Sequence, residues 1–107
     1  MSDATPLGAF EEQVMLAVVH AGDEAFGMGV RREIEARTGR EVAIGAVYAT
    51  LDRLEAKRLV SSSRPRPLGG SRRIFRLTVV GARELAATRA MREQLWRGID
   101  LARFARA

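Results

Sequence analysis

Residues 43–78 read AIGAVYATLDRLEAKRLVSSSRPRPLGGSRRIFRLT. The first part, 43–57, has helical spacing: Ile44, Val47, Leu51 and Leu54 recur at i, i+3, i+7 and i+10 and form one inward stripe. The opposite face carries Gly45, Ala46, Ala49, Asp52 and Arg53, with Tyr48 on one flank and Thr50 on the other. Most of that face is small, so it can come close to another surface. The period then switches. LVSSS at 59–63 and RIFRLT at 73–78 read as two short strands, Ile74, Arg76 and Thr78 alternating with Phe75 and Leu77. Between them Pro65, Pro67, Gly69 and Gly70 mark a hairpin tip, and residues 63–78 hold five arginines and no acid.

On the N-terminal side, residues 7–21 place Leu7, Phe10, Val14, Ala17, Val18 and Ala21 at helical spacing. Met15, Leu16 and Val19 spread the apolar surface nearly around that helix, which predicts burial on more than one side. Residues 26–38 predict a second helix with Val30 and Ile34 inward, two glycines near its start that point to tight packing or a turn, and Gly39 as a left-handed stop. On the C-terminal side, Thr78 is expected to cap a last helix over 79–105, about 40 Å long, with Met91, Leu95, Ile99 and Ala102 in an i, i+4 stripe and Leu85 and Trp96 beside it. So long a helix, with little chain left to cover it, predicts self-association. The expected architecture is mainly α with a small β-hairpin: a winged helix-turn-helix over 1–78 plus a long C-terminal dimerisation helix over 79–107.

Composition narrows the function. The 107 residues fit one small domain with one core, and there are no cysteines and one histidine, His20. That excludes disulfides and thiolate chemistry and leaves a metal site without a second His or Cys; no cofactor is expected, and an enzyme starts from a low prior. No apolar run approaches the ~18 residues of a membrane span, and the first residues lack a signal pattern, so a cytoplasmic protein with no membrane partner is expected. The net charge of +5 is uneven: five acids and no bases in 1–28, twelve bases and five acids in 29–78, six bases and three acids in 79–107. Seventeen of the eighteen bases are arginine. A basic band in the middle of the chain points to a polyanion, with nucleic acid ahead of an anionic membrane.

Four segments, LGAFEEQVMLAVV, AFGMGVRREIEARTGREV, GAVYATLDRLEAKRLV and GGSRRIFRLTVVGARELA, resemble the PadR family of bacterial transcriptional regulators in order and spacing. The resemblance covers roughly residues 7–98, and Leu95, Trp96 and Gly98 resemble the ending of its short subgroup, which has a single C-terminal helix. It implies a dimeric DNA-binding repressor whose last helix, helped by the first, makes the dimer, and from which a small aromatic or drug-like effector can release the DNA. The chain departs from the family twice. Ala43 stands where Ser or Thr usually caps the third helix, at a cost of roughly 1 kcal/mol. Arg58 stands where a glycine usually follows that helix, at a strain of about 1 kcal/mol if the backbone there is left-handed.

The expected contacts with double-stranded DNA are Gly45, Tyr48, Ala49, Thr50 and Arg53 on the third helix, the wing arginines Arg64, Arg66, Arg72 and Arg73, and Arg31 at the start of the second helix. Asp52 would repel phosphate and is expected to pair with a nearby arginine; Glu33, Glu35 and Glu41 are candidate partners for the second-helix arginines. The plain alternatives are a solvated helix face and solubilising charge on a loop. Leu7, Phe10, Val14, Leu85, Met91, Leu95, Trp96 and Ile99 are the expected homodimer residues. Met15 and Trp96 are candidates for an effector pocket, against simple packing as the alternative. A protein-interaction module that keeps the winged helix without binding DNA is the competing function.

Overall fold

A computed structural model describes residues 7–65 and 72–106. Helix α1 spans Ala9–Ala21, a 3₁₀ turn spans Gly22–Glu24, and α2 spans Gly27–Thr38. Helix α3 spans Ile44–Ala56, strands β1 and β2 span Val60–Ser63 and Ile74–Leu77, α4 spans Val79–Trp96, and a last turn, α5, spans Ala102–Ala105.

The three N-terminal helices close around one core. Val14, Met15 and Val18 of α1 meet Val30 and Ile34 of α2 and Val47, Leu51 and Leu54 of α3, all buried. Removing a side chain such as Leu51 from so closed a site costs about 2–5 kcal/mol. Gly29 sits so close to the Glu24 carbonyl that a Cβ would overlap it, which accounts for a glycine at this point of α2.

Helix α3 starts without a side-chain cap: Ala43 takes the extended N-cap conformation but offers no acceptor. It ends in a Schellman motif, in which Leu59 N–H donates to Leu54 O (2.9 Å) and Arg58 N–H to Glu55 O (2.9 Å). That motif needs a left-handed residue, and Arg58 fills the position with φ 63°. The two sequence departures noted above are therefore both present in the backbone.

The hairpin is antiparallel, with Val60 opposite Leu77 and Ser63 opposite Ile74. Val60 and Phe75 turn into the core, and Phe75 N–H donates to Ala25 O (2.9 Å), tying the wing to the α1–α2 turn. The Thr78 hydroxyl then accepts from Gly81 N–H (2.9 Å) and donates to Arg58 O (2.7 Å), so one side chain caps α4 and closes the end of α3. Gly81 lies against the Leu59 carbonyl, where a Cβ would overlap the oxygen. Helix α4 returns along α1: Leu85 packs on the core and Arg92 Nε donates to Glu12 Oε1 (2.9 Å).

The C-terminal helix is shorter than expected. It ends at Trp96 after 18 residues, about 27 Å. Arg97 leaves helical geometry (ψ 127°) and Gly98 turns left-handed (φ 80°). Ile99 and Ala102 thus lie beyond the break, and the stripe expected on one continuous helix is divided.

Candidate DNA interface

The outward face of α3 consists of Gly45, Ala46, Tyr48, Ala49, Asp52 and Arg53, all exposed. Gly45 has open space around it, so none of the described residues obstructs this end of the helix. Thr50 does not belong to the face. It is 1% exposed, and its hydroxyl accepts from Arg53 Nη2 at 3.2 Å. The sequence carried this signal: Thr50 lies three residues after Val47 and four before Leu54, on the buried side of the helical period. Its hydroxyl orients Arg53, and the expectation that Thr50 itself meets a partner is corrected.

Tyr48 is 41% exposed, with its ring laid on the backbone of Gly27 in α2. A methyl group on residue 27 would occupy the same space as that ring. Beside Tyr48 opens a groove lined by Phe26, Met28, Arg32, Arg64, Arg72 and Arg73. Phe26 is its braced floor, with the Arg72 guanidinium 4.2 Å and that of Arg32 5.6 Å from the ring centroid. The sequence reading missed Phe26, because an apolar residue before a helix looks like core.

The arginines separate into two groups. Arg73 donates through Nη2 to Asp52 Oδ1 (3.2 Å) and to Glu55, through Nε to Ser62 Oγ (3.2 Å), and lies over Phe75 at 4.7 Å. The pairing expected for Asp52 is thus found, and Arg73 is its partner. Arg73, expected as a DNA contact of the wing, is found with its Nε and Nη2 donating to the chain's own Ser62, Asp52 and Glu55. Hydrogen bonding from Ser62, and then from Arg73, holds the Glu55 carboxyl below its ordinary 4.5 against the opposing effect of burial. Arg76 is also turned inward, to Gly22 O (2.9 Å) and Asp23 Oδ1 (3.1 Å). Arg31 pairs with Glu35 (3.3 Å), whose other task is to accept from Val42 N–H, and Arg37 pairs with Glu33 (3.0 Å). Arg31 is therefore held along α2, while Arg32 faces the groove. Arg66 lies outside the described residues, as do Gly69 and Gly70.

Against known proteins, the Transcriptional regulator PadR-like family matches residues 15–87. The chain belongs to the PadR family. It is 35% identical over 88 residues to the Transcriptional regulator Rv3488 of Mycobacterium tuberculosis, a match covering 80% of this chain and 81% of the relative. Its fold is similar to that of RosR from H. salinarum, at 27% identity and a TM-score of 0.70 over 96% of this chain and 89% of that one. F93 from STIV, described as a winged-helix DNA-binding protein, superposes with a TM-score of 0.71 over 90% of this chain and 100% of that one; at 14% identity it speaks for the winged-helix fold alone. This PadR chain is a winged-helix transcriptional regulator with a C-terminal helix after the wing.

A second surface of the PadR chain is apolar. Leu16 and Val19 on α1, Met91, Leu95 (69% exposed) and Trp96 on α4, and Ile99, Leu101 and Phe104 after the break are all uncovered. Leu7, Phe10 and Leu85 are partly covered by the chain's own core. Val14 and Met15 are completely enclosed in that core. The expectations of Val14 as a dimer residue and Met15 as a pocket residue are corrected: on a helix apolar nearly all round, both fall on the inward side. Among the described residues no group of His, Asp and Glu is arranged to hold a metal ion, and no helix is long and apolar enough to cross a membrane.

Proposed function

We propose that this PadR regulator is a homodimeric, sequence-specific repressor that binds an inverted-repeat operator. The observation that carries the reading is the unobstructed small-residue face of α3 beside an arginine-lined groove. In this reading Gly45, Ala49 and Arg53 enter the major groove, Arg53 aimed by Thr50. Tyr48, Arg32, Arg64 and Arg72 follow the flanking phosphates, with Phe26 bracing two of these arginines. Residues 79–107 supply the dimer. The exposed apolar side chains of α4 and the C-terminal turn, with Leu16 and Val19 of α1, are the surface that a second copy would cover. Two-fold symmetry then sets the half-sites one helical turn, or a multiple of it, apart.

DNA pull-down and sequencing with the purified protein tests the reading; recovery of no shared inverted repeat overturns it. Replacing Arg72 with Ala flattens the dependence of log affinity on log salt by about 1 if one phosphate contact is lost. Light scattering at micromolar concentration reads a dimer, and a monomer refutes the α4 assignment. Trp96, the one tryptophan of the chain and 58% exposed, is the residue on which a small aromatic effector would stack. Its fluorescence, followed as aromatic acids are titrated into the protein–DNA complex, reports effector binding directly.

A further inference from the structure

We propose that Arg73 is a positioning residue that locks the wing to α3 and so fixes the register between phosphate contacts and base contacts; this rests on the DNA-binding reading above. Arg73 immediately precedes β2 and joins three elements. Its Nε reaches Ser62 on β1, its Nη2 reaches both Asp52 and Glu55 on α3, and its plane lies over Phe75 on β2. Glu55 closes the loop by accepting from Ser62 Oγ at 2.7 Å. The side chain is about two-thirds covered, at 32% exposure.

The pairing of this cluster gives Arg73 a structural task. Two carboxylates more than offset its one positive charge, so the positive charge of the groove is carried by Arg32, Arg64 and Arg72. Arg72, one residue earlier, stacks on the Phe26 ring instead. Neighbouring arginines in one sequence pair thus have different work: Arg72 faces the ligand, and Arg73 holds the strand that carries it. The need for a lock is physical. A hairpin of two four-residue strands has no orientation of its own. Phe75 and Val60 anchor its base in the core, and the Arg73 fork joins the Ser62–Glu55 hydrogen bond in tying the wing to α3. Only arginine can satisfy three acceptors and an aromatic face together; a lysine supplies the same charge without the planar fork.

The test compares Arg73→Lys, Arg73→Ala, Glu55→Ala and Arg72→Ala with the wild type, using a duplex of the promoter region of the protein's own gene. Affinity is measured across a salt series, and amide exchange of β1 and β2 is measured without DNA. Circular dichroism melts confirm that each variant is folded. For a positioning role, Arg73→Lys and Glu55→Ala each weaken binding about tenfold with the salt slope of the wild type. Both also raise wing amide exchange in the free protein. Arg72→Ala flattens the slope by about 1. A phosphate role for Arg73 gives the opposite signs: Arg73→Lys binds like wild type, Arg73→Ala flattens the slope, and Glu55→Ala, having lost a negative charge, binds tighter. Any of these overturns the proposal. A wild type that binds no duplex defeats the DNA-binding reading instead; the exchange measurement then decides the lock alone, and unchanged wing protection overturns it.

Discussion

Arg58 occupies a conformation that suits glycine, and replacing it stabilises the protein. With φ at 63°, the residue carries the usual left-handed penalty of a side chain, about 1–2 kcal/mol. Its backbone is indispensable, since its N–H closes the Schellman motif and its carbonyl receives the Thr78 hydroxyl. Its side chain is exposed and makes no hydrogen bond or ion pair among the described residues. Arg58→Gly therefore removes strain and no contact. Against this, glycine makes the unfolded chain looser by roughly 0.5–1 kcal/mol. The balance is a net gain of up to about 1.5 kcal/mol, centred on ~0.7 kcal/mol, or roughly 3 °C in Tm for a domain of this size. The assay is thermal unfolding by circular dichroism at matched protein concentration, because any dimer makes Tm concentration-dependent. Arg58→Ala is the control, with the same left-handed penalty and no gain. A glycine variant that melts at or below the alanine variant refutes the strain argument.

Three further outcomes follow from the same geometry. Ala43→Ser provides the missing acceptor at the start of α3 and raises stability by about 1 kcal/mol in urea unfolding. Gly81→Ala drives a methyl group into the Leu59 carbonyl, where backbone must move to admit it; a loss of more than about 2 kcal/mol is expected by the same assay. Lowering the pH weakens the protein through Glu11 and Glu55. The Glu11 carboxyl is held below its ordinary 4.5 first by Lys57 and then by the Gly8 amide, and Glu55 by Ser62 and Arg73. Groups with depressed folded values contribute stability that is full above about 4.5 and is lost as pH falls through the folded values. Glu11→Gln should remove part of that acid dependence in urea midpoints measured from about pH 7 to pH 3, and an unchanged curve refutes the assignment.

The helices and the hairpin were legible because their signals are local. The Val47–Leu51–Leu54 stripe, Gly39 and the strand alternation around Phe75 each act within a few residues, and apart from the end of α4 these elements fall within about two residues of the expected bounds. The caps were legible through the family resemblance: Ala43 and Arg58 stand where PadR chains usually have Ser or Thr and glycine, and the backbone shows an uncapped start and a left-handed Arg58. What depends on chain return was not legible. Arg73 reads as wing charge until the hairpin brings it back to Asp52 and Glu55, 21 and 18 residues earlier. Phe26 reads as core until Arg72 comes to lie over it. The end of α4 was misjudged for another reason. Met91, Leu95 and Ile99 continue a helical period, but among the described residues no neighbouring element covers them, and Gly98 can leave it at little cost.

The contact between Tyr48 and Gly27 makes two positions on different helices one evolutionary character. A side chain at 27 obliges the Tyr48 ring to swing off α2 or to be replaced by a smaller residue, so tyrosine in this pose goes with glycine at 27. The recognition surface can therefore drift at 45, 49 and 53 one substitution at a time, whereas the pose of the residue at 48 is tied to what stands at 27. Relatives that bind other sequences are expected to vary at 27 and 48 together, an association that a set of aligned PadR chains can confirm or deny without any experiment on this one.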